Sequence, residues 1–599
     1  MPQTTLMPQP GPAFLADPPR FLFFTGKGGV GKTSIACASA VALAAAGRQV
    51  LLVSTDPASN VGQVFGLAIG NTITAVAGVE GLSALEIDPE QAAHAYRERI
   101  VGPVRGLLPD AEVAAITEQL SGSCTTEIAS FNEFTALLAD ADGIIARFDH
   151  VLFDTAPTGH TIRLLQLPGS WTRYLDAGAG DASCLGPLSG LDKQHRSYAA
   201  AVQALADPVR TRLVLVARAQ TSALAEIART HGELAALGLN RQHVIINAVL
   251  PAPATGADAV AVALYAREQS AVTAMPTALR ALPTDTIELK ATNLIGLAAL
   301  STMFTTAPVL TQTPPPAQDV PAASLAALVD QLAAQDHGLI MCMGKGGVGK
   351  TTTAAALAVA LATRGHDVHL STTDPAAHLA ETLQGEVEHL TVSRIDPAEA
   401  TTRYRERVLA TKGAALDEQG RAGLAEDLRS PCTEEVAVFQ AFSRVINEST
   451  RRFVVIDTAP TGHTLLLLDA AGSYHREIAR QLGERIHYTT PLMRLRDPEN
   501  TKVILVTLAE PTPVLEAASL QADLQRAGIH PWAWVINSSI AAARPASLLL
   551  QHRAEAETTQ IEAVITELSA RTAVIPLLAE EPVGVPALRA LTDQPALAS

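Results

Sequence analysis

Two stretches of this 599-residue chain carry residue types in an order that can hold phosphate. Gly26-Lys27-Gly28-Gly29-Val30-Gly31-Lys32-Thr33 and Gly344-Lys345-Gly346-Gly347-Val348-Gly349-Lys350-Thr351 both fit G-x-x-x-x-G-K-[ST]. The glycines let backbone N–H groups turn inward around anionic oxygens, and a helix starting there adds a favourable field. Lys32 and Lys350 are expected to reach the β- and γ-phosphates of ATP, and Thr33 and Thr351 to ligate Mg2+. Carboxylates follow in each stretch. Asp56 and Asp374, each followed by proline, are expected to hold the attacking water or a Mg2+-bound water, though Asp-Pro also serves as a plain turn. Asp154 and Asp457 end apolar runs and are expected to steady the Mg2+ site. Asn247 and Asn537 end later apolar runs, where an amide matches the N6/N1 edge of adenine; a turn-forming Asn is the simpler alternative.

These residues come in collinear pairs. The two GKGGVGKT strings and the two TDPA strings are each 318 residues apart. IDP at Ile87 and Ile395, and Cys-Thr at Cys124 and Cys432, are 308 apart; DTAPTGHT at Asp154 and Asp457 is 303 apart; Asn247 and Asn537 are 290 apart. An ordered train with a slowly shrinking offset is a duplicated domain, too long for a solenoid repeat. The expected boundaries are 1–304 for the first half, 305–335 for a Pro-rich linker with prolines at 314–316, and 336–599 for the second half.

Each half must place its residues on a rigid frame. Phe21 to Thr25 reads as a buried strand and Ser34 to Ala46 as a helix stopped by Gly47. Further strands are expected at Gln49–Ser54, His150–Phe153, Arg212–Val216 and His243–Ile246. The second half mirrors them at Leu339–Met343, Val368–Ser371, Phe453–Ile456, Lys502–Thr507 and Trp534–Ile536. Unbroken apolar runs fit parallel strands covered on both faces. The expected fold is α/β: two homologous doubly wound, mostly parallel nucleotide-binding domains. Segments 90–148 and 398–450 are expected to add a helical layer to each.

Composition bounds the partners. Lys and Arg number 44 against 60 Asp and Glu, a net charge of −16, which argues against a nucleic-acid binder. Mean hydropathy is +0.19, yet the apolar stretches are Ala-rich and too short to span a bilayer. The N-terminus lacks the pattern of a signal peptide, so a cytoplasmic protein is expected. Five cysteines exclude a disulfide scaffold.

The extra lysines Lys27 and Lys345 resemble the signature of the deviant Walker A family, which includes MinD, nitrogenase iron protein and the arsenite-pump ATPase. That resemblance implies a pseudo-dimer of the two halves in which each lysine touches the nucleotide of the opposite half as a catalytic residue. A cation supplied in trans to phosphoryl transfer can be worth roughly 10³–10⁵ in rate. With LSGSCTTEIASFNEF at Leu120–Phe134, SPCTEEVAVFQAFSR at Ser430–Arg444 and the two DTAPTGH segments, almost the whole chain resembles the arsenical pump-driving ATPase family (ArsA). That family hydrolyses ATP, binds arsenite or antimonite, and energises a membrane efflux carrier, sometimes receiving metalloid from a metallochaperone. It implies a location at the inner face of the membrane, held through the carrier. Carried over, the metalloid ligands are Cys124, Cys184 and Cys432, with His160, His463 and Ser430 as accessory contacts. Thiolates select soft centres such as trivalent arsenic and antimony, which agrees. Cys37 and Cys342 sit in apolar stretches and read as small buried residues.

Three other functions compete. A targeting ATPase for tail-anchored membrane proteins resembles one half, but usually carries a C-x-x-C clasp that is missing here. An iron–sulfur reductase needs four bridging thiolates, and the loop cysteines number three. A MinD- or ParA-type positioning ATPase needs an amphipathic tail or a basic face, and the C-terminus PALRALTDQPALAS supplies neither.

Overall fold

In the computed structural model the chain forms two compact units, Met1–Gln312 and Thr313–Ser599. The structure describes all residues except 1–10, 56–60, 107–108, 110–111, 114–115, 118–119, 121–122, 140–142, 156–190, 253–255, 257, 306–321, 375–378, 429–431, 460–489 and 594–599. At 104, 123–128, 144, 191–198, 427, 432 and 435 the backbone alone is described.

The first unit holds β1 (Phe21–Thr25), β2 (Val50–Ser54), β3 (Thr74–Ala75), β4 (Leu82–Glu86), β5 (His150–Asp154), β6 (Thr211–Arg218), β7 (Gln242–Val249) and β8 (Thr284–Glu288). They lie in the order β3-β4-β2-β5-β1-β6-β7-β8, and all pairs are parallel except β3 with β4. The second unit holds β9 (Gly338–Met343), β10 (Val368–Thr372), β11 (Leu390–Arg394), β12 (Phe453–Asp457), β13 (Thr501–Leu508), β14 (Pro531–Ser539) and β15 (Thr572–Pro576). Their order is β11-β10-β12-β9-β13-β14-β15, all parallel. Strand for strand this is the first sheet without β3, so the duplication read from the motifs is a duplication of topology.

β1, β2, β5, β9, β10 and β12 are buried along their whole length, and alternate residues enter different cores. Phe21 and Phe23 pack with Phe131, Phe134 and Phe153 on one face. Leu22 and Phe24 pack with the Ala-rich helix Lys32–Ala45 on the other. Burial on both faces is why these strands read as unbroken apolar runs. The outer strands β4, β8, β11 and β15 were not expected. β8 and β11 are largely exposed or half-buried, so their apolar signal is diluted.

The helical layer holds helices Pro89–Val101 and Ser123–Ala139 in the first unit, and Pro397–Thr411, Glu418–Asp427 and Cys432–Asn447 in the second. The repeated IDP string starts it. Asp88 accepts N–H bonds from Glu90 and Gln91, Asp396 accepts one from Glu399, and proline follows each at the first helical position. IDP is therefore a helix cap rather than a chemical motif.

One boundary shifts. The expected linker runs to residue 335, but Ala323 forms a parallel bridge to Ala573 within β15. Helix Leu325–Leu332, capped by Ser324, buries Leu325, Leu328, Val329 and Leu332 in the core of the second unit. The helix is amphipathic, and it is folded because its apolar stripe has a sheet to cover.

Candidate nucleotide sites

In both sheets the functional segments leave the carboxyl ends of neighbouring strands. In the first unit the phosphate loop follows β1, Asp154 ends β5, the TDPA segment follows β2 and Asn247 lies in β7. Register places Asp154 opposite Phe24 and Ser54, and Asn247 opposite Arg218. The second unit repeats this, with Asp457 opposite Cys342 and Thr372, and Asn537 opposite Leu508. Parallel pairing thus gathers residues as far apart as Gly26 and Asn247, or Gly344 and Asn537, onto one edge of each sheet, where ligands bind in such sheets.

The loops are shaped by close approach. Gly26 and Gly344 have positive φ, and a Cβ on either would run into the carbonyl oxygen of Val216 or Val506. Gly31 and Gly349 are left-handed at φ 90° and 94°, and a Cβ there would strike the amide of Asn247 or Asn537. These asparagines brace the loops from behind. Asn247 Nδ2 donates to Val30 O at 2.8 Å and Asn537 Nδ2 to Val348 O at 3.0 Å. The contact described for both amides is this loop brace, which neither expectation for them named.

Lys32 and Lys350 start their helices, are almost fully buried, and donate through Nζ to the carbonyls of Lys27 and Lys345. Thr33 Oγ1 donates to Asp154 Oδ2 at 2.7 Å, and Thr351 Oγ1 to Asp457 Oδ2 at 2.8 Å. Thr372 Oγ1 adds a second bond to the same oxygen of Asp457. Asp457 Oδ1 is buried and has no hydrogen-bond partner among the described residues. Burial raises the Asp457 carboxyl to about 6, against the lowering effect of the Lys350 ammonium and the Thr351 and Thr372 bonds; Asp374 raises it further. A hydroxyl beside a buried carboxylate with a spare oxygen is a hard-oxygen set that fits Mg2+.

Asp374 is half-buried beside the end of β10, and its N–H donates to Thr372 Oγ1. Thr155 and Thr458, one residue past the strand-ending acids, donate to the carbonyls of Phe24 and Cys342 and tie each DTAPTGH segment to the strand before the phosphate loop.

The extra lysines have partners that the motif reading missed. Lys27 Nζ lies 3.8 Å from Glu226 Oε2, and Lys345 Nζ donates to Glu516 Oε1. Each glutamate belongs to its lysine's own unit, on helix Thr221–Ala236 or Pro511–Arg526. The signal was present: Glu226 and Glu516 are 290 residues apart, the offset of Asn247 and Asn537.

Of the cysteine set, Cys124 is the second residue of helix Ser123–Ala139 and Cys432 the first of helix Cys432–Asn447, equivalent places in the two halves. Asp56, His160, Cys184, Ser430 and His463 lie outside the described residues. Cys37 and Cys342 are fully buried free thiols. Burial pushes both thiols well up, with Asp154 and Asp457 adding to it, so neither offers a thiolate at neutral pH. No helix among the described residues is long and apolar enough to cross a membrane.

Duplicated parallel sheets, each with a lysine-bearing phosphate loop facing a strand-ending Asp, define a double P-loop ATPase. The Anion-transporting ATPase family model matches residues 19–307, 337–494 and 469–595, and the chain belongs to that family. It is 62% identical over 586 residues to an arsenical pump-driving ATPase of Escherichia coli, covering 96% of this chain and 99% of the relative. It is 61% identical over 577 residues to one of Acidiphilium multivorum, covering 96% and 98%. A third relative, ATPase GET3 of Eremothecium gossypii, is 33% identical over 253 residues, covering 39% of this chain and 72% of the relative.

Proposed function

We propose that this ATPase is stimulated by arsenite or antimonite and drives a membrane efflux carrier for those metalloids. The observation that carries this reading is identity above 60% along 96% of the chain to ATPases named for driving an arsenical pump. The equivalent placing of Cys124 and Cys432 supports it.

In this reading ATP occupies both phosphate loops. Lys32 and Lys350 exchange their loop carbonyls for β- and γ-phosphate oxygens. Thr33 with Asp154, and Thr351 with Asp457, would hold Mg2+, which would neutralise charge on the β- and γ-phosphates. Asp56 and Asp374 orient the attacking water. Lys27 and Lys345 reach the nucleotide of the opposite half, where their charge meets that of the transition state. The metalloid is substrate and staple together. It is bound by Cys124, Cys184 and Cys432, with His160, His463 and Ser430 as accessory contacts, and it favours the closed pseudo-dimer that brings the trans lysines into place. Thiolate ligation releases protons, because a free thiol titrates near 8.5. The partner is the carrier at the inner face of the membrane, with a metallochaperone as a further candidate donor.

ATP hydrolysis with and without antimonite tests the reading. A several-fold rise with metalloid is expected. A flat response from micromolar to millimolar metalloid, with basal hydrolysis intact, overturns it and favours the tail-anchored-protein targeting alternative.

A further inference from the structure

We propose that Glu226 and Glu516 are latches that hold the signature lysines Lys27 and Lys345 inside their own halves and so keep the resting hydrolysis rate low. The proposal rests on the reading above that these lysines act across the two halves.

The geometry recurs. Each lysine comes from the second position of a phosphate loop, and each glutamate from the sixth residue of the helix after the neighbouring strand, β6 or β13. The pairs form independently in two units whose sequences have diverged around them. Helix Thr221–Ala236 reads TSALAEIARTHGELAA and helix Pro511–Arg526 reads PTPVLEAASLQADLQR, yet both put Glu at that position. Both glutamate side chains are mostly buried, at 11% and 4% exposure, while Lys27 and Lys345 stand at 39% and 17%. The carboxylate is thus the fixed member of each pair and the lysine, on its flexible stem, the movable one.

A lysine engaged in this way must leave its carboxylate before it can serve a phosphate elsewhere. Departure leaves a mostly buried carboxylate without its cation, which opposes the change. The closed, hydrolysing state therefore carries an opposing term in each half, and an effector that favours closure must offset it. This gives a physical reason for a low resting rate and a metalloid-dependent one. The two latches differ in strength. The Lys345–Glu516 pair is the more buried and is hydrogen-bonded, whereas Lys27 and Glu226 are 3.8 Å apart with a half-exposed lysine. The second half should thus be the more tightly restrained.

The test compares wild type, Glu226→Gln and Glu516→Gln for hydrolysis with and without antimonite. Each variant should raise the metalloid-free rate, by about two- to five-fold for Glu226→Gln, as expected for a half-exposed pair, and by more for Glu516→Gln. Fold stimulation should fall in step, with nucleotide affinity changed little. In a Lys345→Ala background, Glu516→Gln should do nothing further. A gain that persists in that background would mean the glutamate acts by repelling phosphate rather than by holding the lysine, and the latch is wrong. An unchanged or lower resting rate in folded variants also overturns it. If Glu516→Gln does not fold, Glu516→Asp, which keeps the charge but shortens the reach, should give a smaller gain in the same direction. A wild type that ignores antimonite sinks the pump reading alone, since the latch is read from the metalloid-free rates.

Discussion

Lys27 and Lys345 differ from Lys32 and Lys350 by five positions and by environment. The latter are buried against loop carbonyls, while the former reach outward to a glutamate. If Lys27 and Lys345 act on the transition state, Lys27→Ala or Lys345→Ala should lower kcat roughly 10²–10³-fold with nucleotide affinity nearly intact. Steady-state kinetics beside nucleotide titration checks this; equal losses in both would make them ordinary phosphate ligands of their own loop. Asp457 makes an opposite kind of prediction. Its folded pKa, about 6, lies above the ordinary 3.8, so between those values the native state binds more protons than the unfolded chain. Stability from this group therefore falls as pH rises toward 6, and above that the whole cost of burying the charge is present. Asp457→Asn should raise the stability of the nucleotide-free second unit at pH 7 by on the order of 1–3 kcal/mol while removing hydrolysis at that site. Calorimetry at pH 7 and pH 4 decides it, because the gain should vanish at the lower pH.

The elements that position these residues were legible in unequal degree. β1, β2, β5, β6 and β7, with their partners in the second half, announce themselves because both faces are buried and each carries an unbroken run of apolar residues at its centre. β8 reads TDTIE and β11 reads LTVSR, with one or no buried positions, so periodicity finds nothing to lock on to. Phosphate loops and strand-ending acids were readable because chemistry fixes their residue types. Glu226 and Glu516 were not, since a glutamate on an exposed-looking helix acquires meaning only when the sheet sets it beside a loop lysine. Helix Leu325–Leu332 falls within the linker expected from sequence because its apolar stripe declares amphipathicity but not what covers it. Leu328→Ala should destabilise the second unit by about 2–4 kcal/mol, as for a core leucine, measurable as a lower denaturation midpoint; a change under a few tenths would return the segment to the linker. Glu557, on helix Leu548–Ala563, accepts from Ser539 and the N–H of Ala541 just past Asn537, and burial raises it from 4.5 to about 7. The sign matches Asp457, so this element loses stability as pH rises from about 4.5 to 7, and Glu557→Gln should flatten that slope.

At the scale of the whole chain, duplication supplies two phosphate loops and two equivalently placed cysteines, and under the proposed function these work as one metalloid-gated machine. The direct measurement is the antimonite response of hydrolysis in Cys124→Ser, Cys432→Ser and the double variant, with Cys37→Ser and Cys342→Ser as buried controls. Serine keeps the shape but offers a hard oxygen to a soft centre. Each single variant should lose most of the stimulation with basal hydrolysis intact, and the double variant little more, as the proposed single site bridged by both thiols requires. The controls should keep the response. Partial, additive losses would contradict the single stapled site and favour independent sites in each half; loss of response in the controls alone would contradict the ligand assignment outright.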